Sequence, residues 1–216
     1  MSIVQLSKKD FEVALQPIIV DRKLINELHQ YCLNHTKNIL ALTGLRRTGK
    51  TILMMRQALN LINNSKKVLY LLCDTTTTQS DLFKIVFAAV EDNCEVIFID
   101  EVTYIDGFAD WADWIYNNTI CKGIHCVIAG TDSYGLVLAS NHVLFDRMQF
   151  VRTTHISYAE SYRINKASLS NYIRTGGLFG VLDIVDYTNT SITNNIIASM
   201  RRYSELPTTQ KGRGFG

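Results

Sequence analysis

The chain has 216 residues, 47% of them hydrophobic, and a formal net charge of +2. That length and apolar content suit one substantial core rather than two equal domains, and so small a basic excess does not by itself announce a nucleic-acid protein. Five cysteines, Cys32, Cys73, Cys94, Cys121 and Cys126, form no Cys-x-x-Cys pair and sit in or beside apolar runs, which reads as buried thiols in a reducing, cytoplasmic setting.

Met1–Asp10 is followed by no apolar leader segment, and no run reaches about eighteen apolar residues, so no membrane span is expected. Arg22–Asn34 reads as a helix with Leu24, Ile25, Leu28 and Leu33 on its apolar side, closing a helical lead-in (1–36) expected against the edge of a sheet. Short runs that are apolar on both faces then alternate with amphipathic stretches. The runs are Ile39–Leu42, Val68–Cys73, Val96–Asp100 and Cys126–Gly130, with a fifth expected over Phe150–Ile156.

Between them, Thr51–Asn63 sets Ile52, Met55, Leu59 and Ile62 on one helical face; Ser80–Asp92 follows, and Phe108–Asn117 aligns Phe108, Trp111 and Ile115. Trp111, Trp114 and Tyr116 read as an aromatic face turned to the core rather than a platform for bases. The alternation predicts a three-layer α/β fold with a mostly parallel five-stranded sheet, helices on both faces and a core over 37–164. A small helical segment (165–200) and a flexible tail (201–216) with Lys211 and Arg213 complete the expected organisation. The basic pair Arg201-Arg202 opens that tail, and this thin basic patch is a weak warrant for nucleic-acid binding.

The stretch Gly44-Leu45-Arg46-Arg47-Thr48-Gly49-Lys50-Thr51 matches G-x-x-x-x-G-K-[ST] between a strand and a helix that continues through Ile52. Two glycines let the backbone curl so that N–H groups point at phosphate oxygens, and the helix N-terminus adds partial positive charge. Lys50 supplies a point charge to the outer phosphates, and Thr51 offers a hydroxyl to Mg²⁺. The expected ligands are ATP and Mg²⁺, in a P-loop NTPase fold.

In Val96-Ile97-Phe98-Ile99-Asp100-Glu101 a buried strand ends in two carboxylates, at the sheet edge where open α/β sheets bind ligands. Asp100 is the expected Mg²⁺ holder and Glu101 the base that orients an attacking water. A second strand ends in Gly130-Thr131-Asp132-Ser133, where Thr131, or failing it Ser133, would touch the γ-phosphate or the water. Asp132 or Ser133 could equally cap a helix over Tyr134–Ser140.

Taken in order, "LTGLRRTGKT" from Leu42, "VIFIDEVTYI", "VIAGTDS", "LFDRMQFVRTTHISYAESY" and "NYIRTGGL" resemble the prokaryotic AAA-like ATPases of the "GxRRxGKT" type, over roughly Arg22 to Leu178. The resemblance implies that the phosphate-loop strand lies beside the sensor strand. It assigns Lys50 and Thr51 to phosphate and Mg²⁺, Asp100 to Mg²⁺, Glu101 to catalysis, and Thr131 or Ser133 to sensing. Arg147 matches the family's Gly-Arg element, reaching a neighbour's nucleotide or supporting the next strand. Asp146 stands where the family has Gly, and His155-Ile156-Ser157-Tyr158 where it has Pro-Leu-Ser-Phe. The resemblance also leads one to expect a core without the family's C-terminal output domain.

A GTPase would need the Asn-Lys-x-Asp signature, which Asn165-Lys166-Ala167-Ser168 lacks, and a small-molecule kinase would need an acceptor site that no motif supplies. The rival of another class is a nucleotide-dependent switch or scaffold with negligible hydrolysis. Turnover could await an arginine from a homo-oligomer or protein partner, with Arg46, Arg47, Arg147 and Arg152 as candidates.

Overall fold

The computed structural model describes residues 3–16, 22–34, 39–118, 123–130, 135–137, 144 and 146–177. Among the described residues six strands are formed, β1 (Val4–Gln5), β2 (Ile39–Thr43), β3 (Val68–Leu72), β4 (Val96–Asp100), β5 (His125–Ala129) and β6 (Met148–Arg152). The described helices with full bounds are α1 (Lys8–Leu15), α2 (Ile25–Leu33), α3 (Lys50–Asn63), α4 (Gln79–Glu91), α5 (Phe108–Asn118), α6 (Tyr158–Asn165) and α7 (Leu169–Thr175), with a 3₁₀ turn over Val102–Tyr104.

The strands run in the order β1-β3-β4-β5-β2-β6, parallel except for β1, which pairs antiparallel with β3. The expected five strands are thus six. β1 is only two residues long and exposed, so no apolar run announces it; its pairing with Leu71 and Leu72 is what makes it a strand.

Because side chains alternate across a strand, each central strand feeds two cores. Leu40, Leu42, Phe98 and Val127 face α1, α2 and α3, whereas Ile39, Ala41, Ile97, Ile99 and Ile128 face α4 and α5. Trp111 is fully buried in the second core, with Trp114 and Tyr116 half-buried against it.

Three expectations need correction. The helix α2 lies on a sheet face, not an edge: Leu28, Tyr31 and Cys32 are its buried residues, Leu33 is exposed, and the Tyr31 hydroxyl donates to the Cys126 carbonyl (2.9 Å). On α3 the buried stripe is Leu53, Met54, Gln57, Ala58 and Leu61; Ile52, Met55, Leu59 and Ile62 flank it, half-buried against the same core. Finally, β6 spans Met148–Arg152 because its ladder with Ile39–Thr43 ends where Thr153 turns onto the loop after β2; Ile156 donates instead to the Gly177 carbonyl.

Cys32, Cys73, Cys94 and Cys126 are all buried and free, and burial pushes the Cys32 and Cys73 thiols up to about 12, so they remain protonated and unreactive. Cys121 lies outside the described residues, as do the chain beyond Gly177 and its basic Arg201, Arg202, Lys211 and Arg213. No helix among the described residues is long and apolar enough to cross a membrane.

Candidate nucleotide site

Strand β2 ends at Thr43, and the chain turns at Gly44 (φ 140°) into a loop that closes at Gly49 (φ 85°), the cap of α3. A Cβ on Gly44 would stand 2.2 Å from the Thr153 carbonyl oxygen and 2.3 Å from its hydroxyl, because Thr153 is strapped to the same place by its N–H and Oγ1, both donating to the Thr43 carbonyl (2.7 and 2.9 Å). Only glycine satisfies both the backbone angle and that close approach. Gly44→Ala is therefore expected to destabilise the fold by roughly 2–4 kcal/mol and to spoil the loop, which denaturant unfolding would measure directly.

The loop is held from inside and behind. Lys50, the first residue of α3 and only 6% exposed, donates from Nζ to the Gly44 and Leu45 carbonyls (2.8 and 2.9 Å). Burial lowers its amine, while the charges of Glu101 and Asp100 oppose that shift. Thr48, also buried, has its hydroxyl 2.7 Å from the Leu45 carbonyl and 2.7 Å from the Thr153 hydroxyl. Leu45, Arg46 and Arg47 form the exposed rim, with Arg47 in the left-handed region (φ 62°).

Facing the loop, β4 delivers Asp100, which is 1% exposed. Its Oδ1 accepts from the Glu101 backbone N–H (3.0 Å), its Oδ2 from the Tyr70 hydroxyl (3.1 Å), and the Thr51 side chain hydrogen-bonds it as well. Burial raises the Asp100 carboxyl above the usual range, the neighbouring Glu101 charge adds to this, and the hydrogen bonds from Thr51, Tyr70 and Glu101 hold part of it back. Glu101 takes a left-handed backbone (φ 56°, ψ 35°) at the head of the 3₁₀ turn, a costly geometry for a non-glycine residue. Two oxygens, one carboxylate and one hydroxyl, joined across the loop, form the hard donor set that suits Mg²⁺ beside a phosphate.

More than half of the chain, residues 36–162, matches the family model described as an AAA domain. The chain belongs to the AAA domain family. A comparison with curated proteins returns no match. Among solved structures, the chain is similar to Caenorhabditis elegans PCH-2 (18% identity, TM-score 0.53), covering 96% of this chain and 67% of that one. It is similar also to Saccharomyces cerevisiae Hsp104 in complex with casein (18%, TM-score 0.56; 80% and 34%) and in complex with ADP (19%, TM-score 0.56; 74% and 26%). At such identities the likeness shows the fold alone, and the chain spans about a third or less of the Hsp104 chains it matches.

Within this AAA domain the expected residues divide into those that converge and one that stands apart. Gly44, Leu45, Arg46, Arg47, Thr48, Gly49, Lys50 and Thr51 form the loop and helix start, Ile52 packs half-buried behind it, and Asp100 and Glu101 face it. Arg147 is elsewhere. It precedes Met148, which pairs with Ile39 at the start of β2, so about 13 Å of strand separates it from the loop. Its guanidinium donates to Asp113 (2.5 Å) and lies over the Tyr116 ring (4.9 Å), and its carbonyl accepts from Ile39. These contacts tie Arg147 to the start of β2 and to α5 within its own chain.

Thr131, Asp132 and Ser133 lie outside the described residues, as does most of Tyr134–Ser140; only 135–137 form a described helical turn. Gly130, just before them, has no room for a Cβ: it would meet Thr103 at 2.5 Å, so the end of β5 abuts the turn that Glu101 opens. Sequence reasoning missed Tyr70, Thr153 and Arg22. Tyr70 carried a signal, a hydroxyl in an otherwise apolar buried strand, whereas Thr153 and Arg22 carried none, because their partners are distant in the chain.

Proposed function

We propose that this AAA domain binds ATP with Mg²⁺ and hydrolyses it, using the cycle to change the conformation of a partner. The observation that carries the reading is the joining of the loop to the carboxylate strand: Thr51 hydrogen-bonds Asp100, and Lys50 sits in the field of Glu101 and Asp100. In that arrangement Lys50 and the loop N–H groups bind the phosphates, and Thr51 and Asp100 would hold Mg²⁺, which draws charge from the outer phosphates. Glu101 orients a water and takes its proton as the bond to the γ-phosphorus forms. ADP and inorganic phosphate leave.

The placement of Arg147 favours a second reading beside the first. With that guanidinium engaged by Asp113, an arginine that neutralises the transition state would come from Arg46, Arg47, Arg152 or a neighbouring subunit or partner. A chain left to itself would then be an ATP-bound switch with negligible turnover. The fold-related Hsp104 is seen in complex with casein, a protein partner.

The test is ATP binding and hydrolysis with and without Mg²⁺, repeated over a wide range of protein concentration. Hydrolysis per chain that rises with concentration is the expected result and supports an arginine in trans. Tight binding without turnover at any concentration supports the switch, and failure to bind ATP overturns both.

A further inference from the structure

Arg22 lies just before α2, outside the loop, yet it is 5% exposed and its Nη1 donates to the Thr48 carbonyl at 2.7 Å. In a planar trans peptide the C=O of one residue and the N–H of the next point in opposite directions. A Thr48 carbonyl turned outward to Arg22 therefore turns the Gly49 N–H the other way, across the loop. Gly49 has no side chain and a positive φ (85°), so its own preference would not hold that plane; an external bond must.

Another nitrogen of the same guanidinium faces the segment that follows the sheet. Glu160 of α6 has its Oε1 3.8 Å from Arg22 Nε, too long for a hydrogen bond, and Nε is buried with no hydrogen-bond partner. The same oxygen accepts from the Lys23 backbone N–H (3.3 Å), and the second carboxylate oxygen accepts from the Ser157 N–H and hydroxyl (both 3.2 Å), closing the capping box of α6. One carboxylate thus anchors α6, the start of α2 and the guanidinium on the loop.

We propose that Arg22 is a positioning residue for the phosphate loop and that Glu160, by holding Arg22, makes nucleotide binding and the docking of α6 depend on one another. This rests on the ATP-binding reading above. Binding of phosphate by the Gly49 N–H polarises that peptide, strengthens the Thr48 carbonyl as an acceptor and draws Arg22 and Glu160 together. By linkage, whatever displaces α6 weakens the grip on nucleotide by the same factor.

The test uses the full chain, with Arg22→Met, Arg22→Lys and Glu160→Gln. Affinity for a fluorescent ATP analogue and hydrogen exchange over residues 158–165, with and without ATP, are the readouts. Arg22→Met is expected to weaken binding by roughly tenfold or more, the scale of a lost charged hydrogen bond, with only partial recovery in Arg22→Lys. Glu160→Gln keeps the capping box, since Gln serves there too, so α6 should stay folded while ATP no longer slows its exchange. Wild-type affinity in Arg22→Met, or an undiminished ATP response of α6 in Glu160→Gln, would overturn the proposal. Should Arg22→Met not fold, Glu160→Gln decides alone. Wild-type protein that binds no ATP would sink the underlying reading before any variant is compared.

Discussion

Glu101→Gln is expected to leave ATP affinity within about twofold of wild type while slowing hydrolysis by roughly 10²–10⁴-fold, the contribution of a positioned general base. The amide is isosteric and can still orient water, but it cannot accept the proton that must leave as the bond to phosphorus forms. The strained backbone at Glu101 is unchanged by the substitution, so stability should hardly move. Lys50→Ala should behave in the opposite way, with binding lost and the question of chemistry not arising. It removes the charge that would meet the outer phosphates on the proposed reading, together with the two bonds that fix the Gly44 and Leu45 carbonyls. Equilibrium binding and a single-turnover chase on the two variants separate the roles; equal loss of binding in both would contradict them.

Asp100→Asn should make the unliganded protein more stable and the liganded one useless. An acid whose folded value is raised binds protons more tightly when folded, so its ionisation works against the fold: the stability present at low pH is lost as pH rises from the unfolded carboxylate value to the raised folded one. Asparagine removes that cost at neutral pH without stranding a polar atom. Its carbonyl can accept from the Glu101 N–H while its amide donates to the Tyr70 and Thr51 hydroxyls, which can reverse direction. We expect a melting temperature about 2–5 °C above wild type near pH 7. The gap should close below the ordinary carboxylate range, and Mg²⁺ should no longer tighten ATP binding. A lower melting temperature at neutral pH would mean that the ionised Asp100 is a net stabiliser.

The parts of this fold that could be read from sequence are those whose cause is local. Four apolar runs became β2, β3, β4 and β5 within a residue at every end, and Gly44 to Thr51 formed the turn that its spacing dictates. What escaped is held by contacts between distant segments. Arg22 reaches Thr48, Tyr70 reaches Asp100 and Thr153 reaches Thr43, so none leaves a periodic trace. The misread face of α3 has another origin: apolar residues occupy both 52/55/59/62 and 53/54/58/61, and only the neighbouring α1 and α2 decide which stripe is innermost. Arg147 was ambiguous because its motif position carries no information about Asp113, thirty-four residues earlier.

The sheet order also has a consequence for how the chain is made. Strands β3 and β4 pair over a short span, Val68 with Val96, and can close early; Leu40, by contrast, finds its neighbours in Val127 and Gln149, roughly ninety and one hundred and ten positions later. The loop-bearing segment, among the earliest to leave the ribosome, is thus seated only when β6 and Thr153 have emerged. A nascent chain halted before residue 153 would display its glycine-rich turn without its backing, and the ability to grip a nucleotide would arrive late in synthesis as a sign that the sheet is complete.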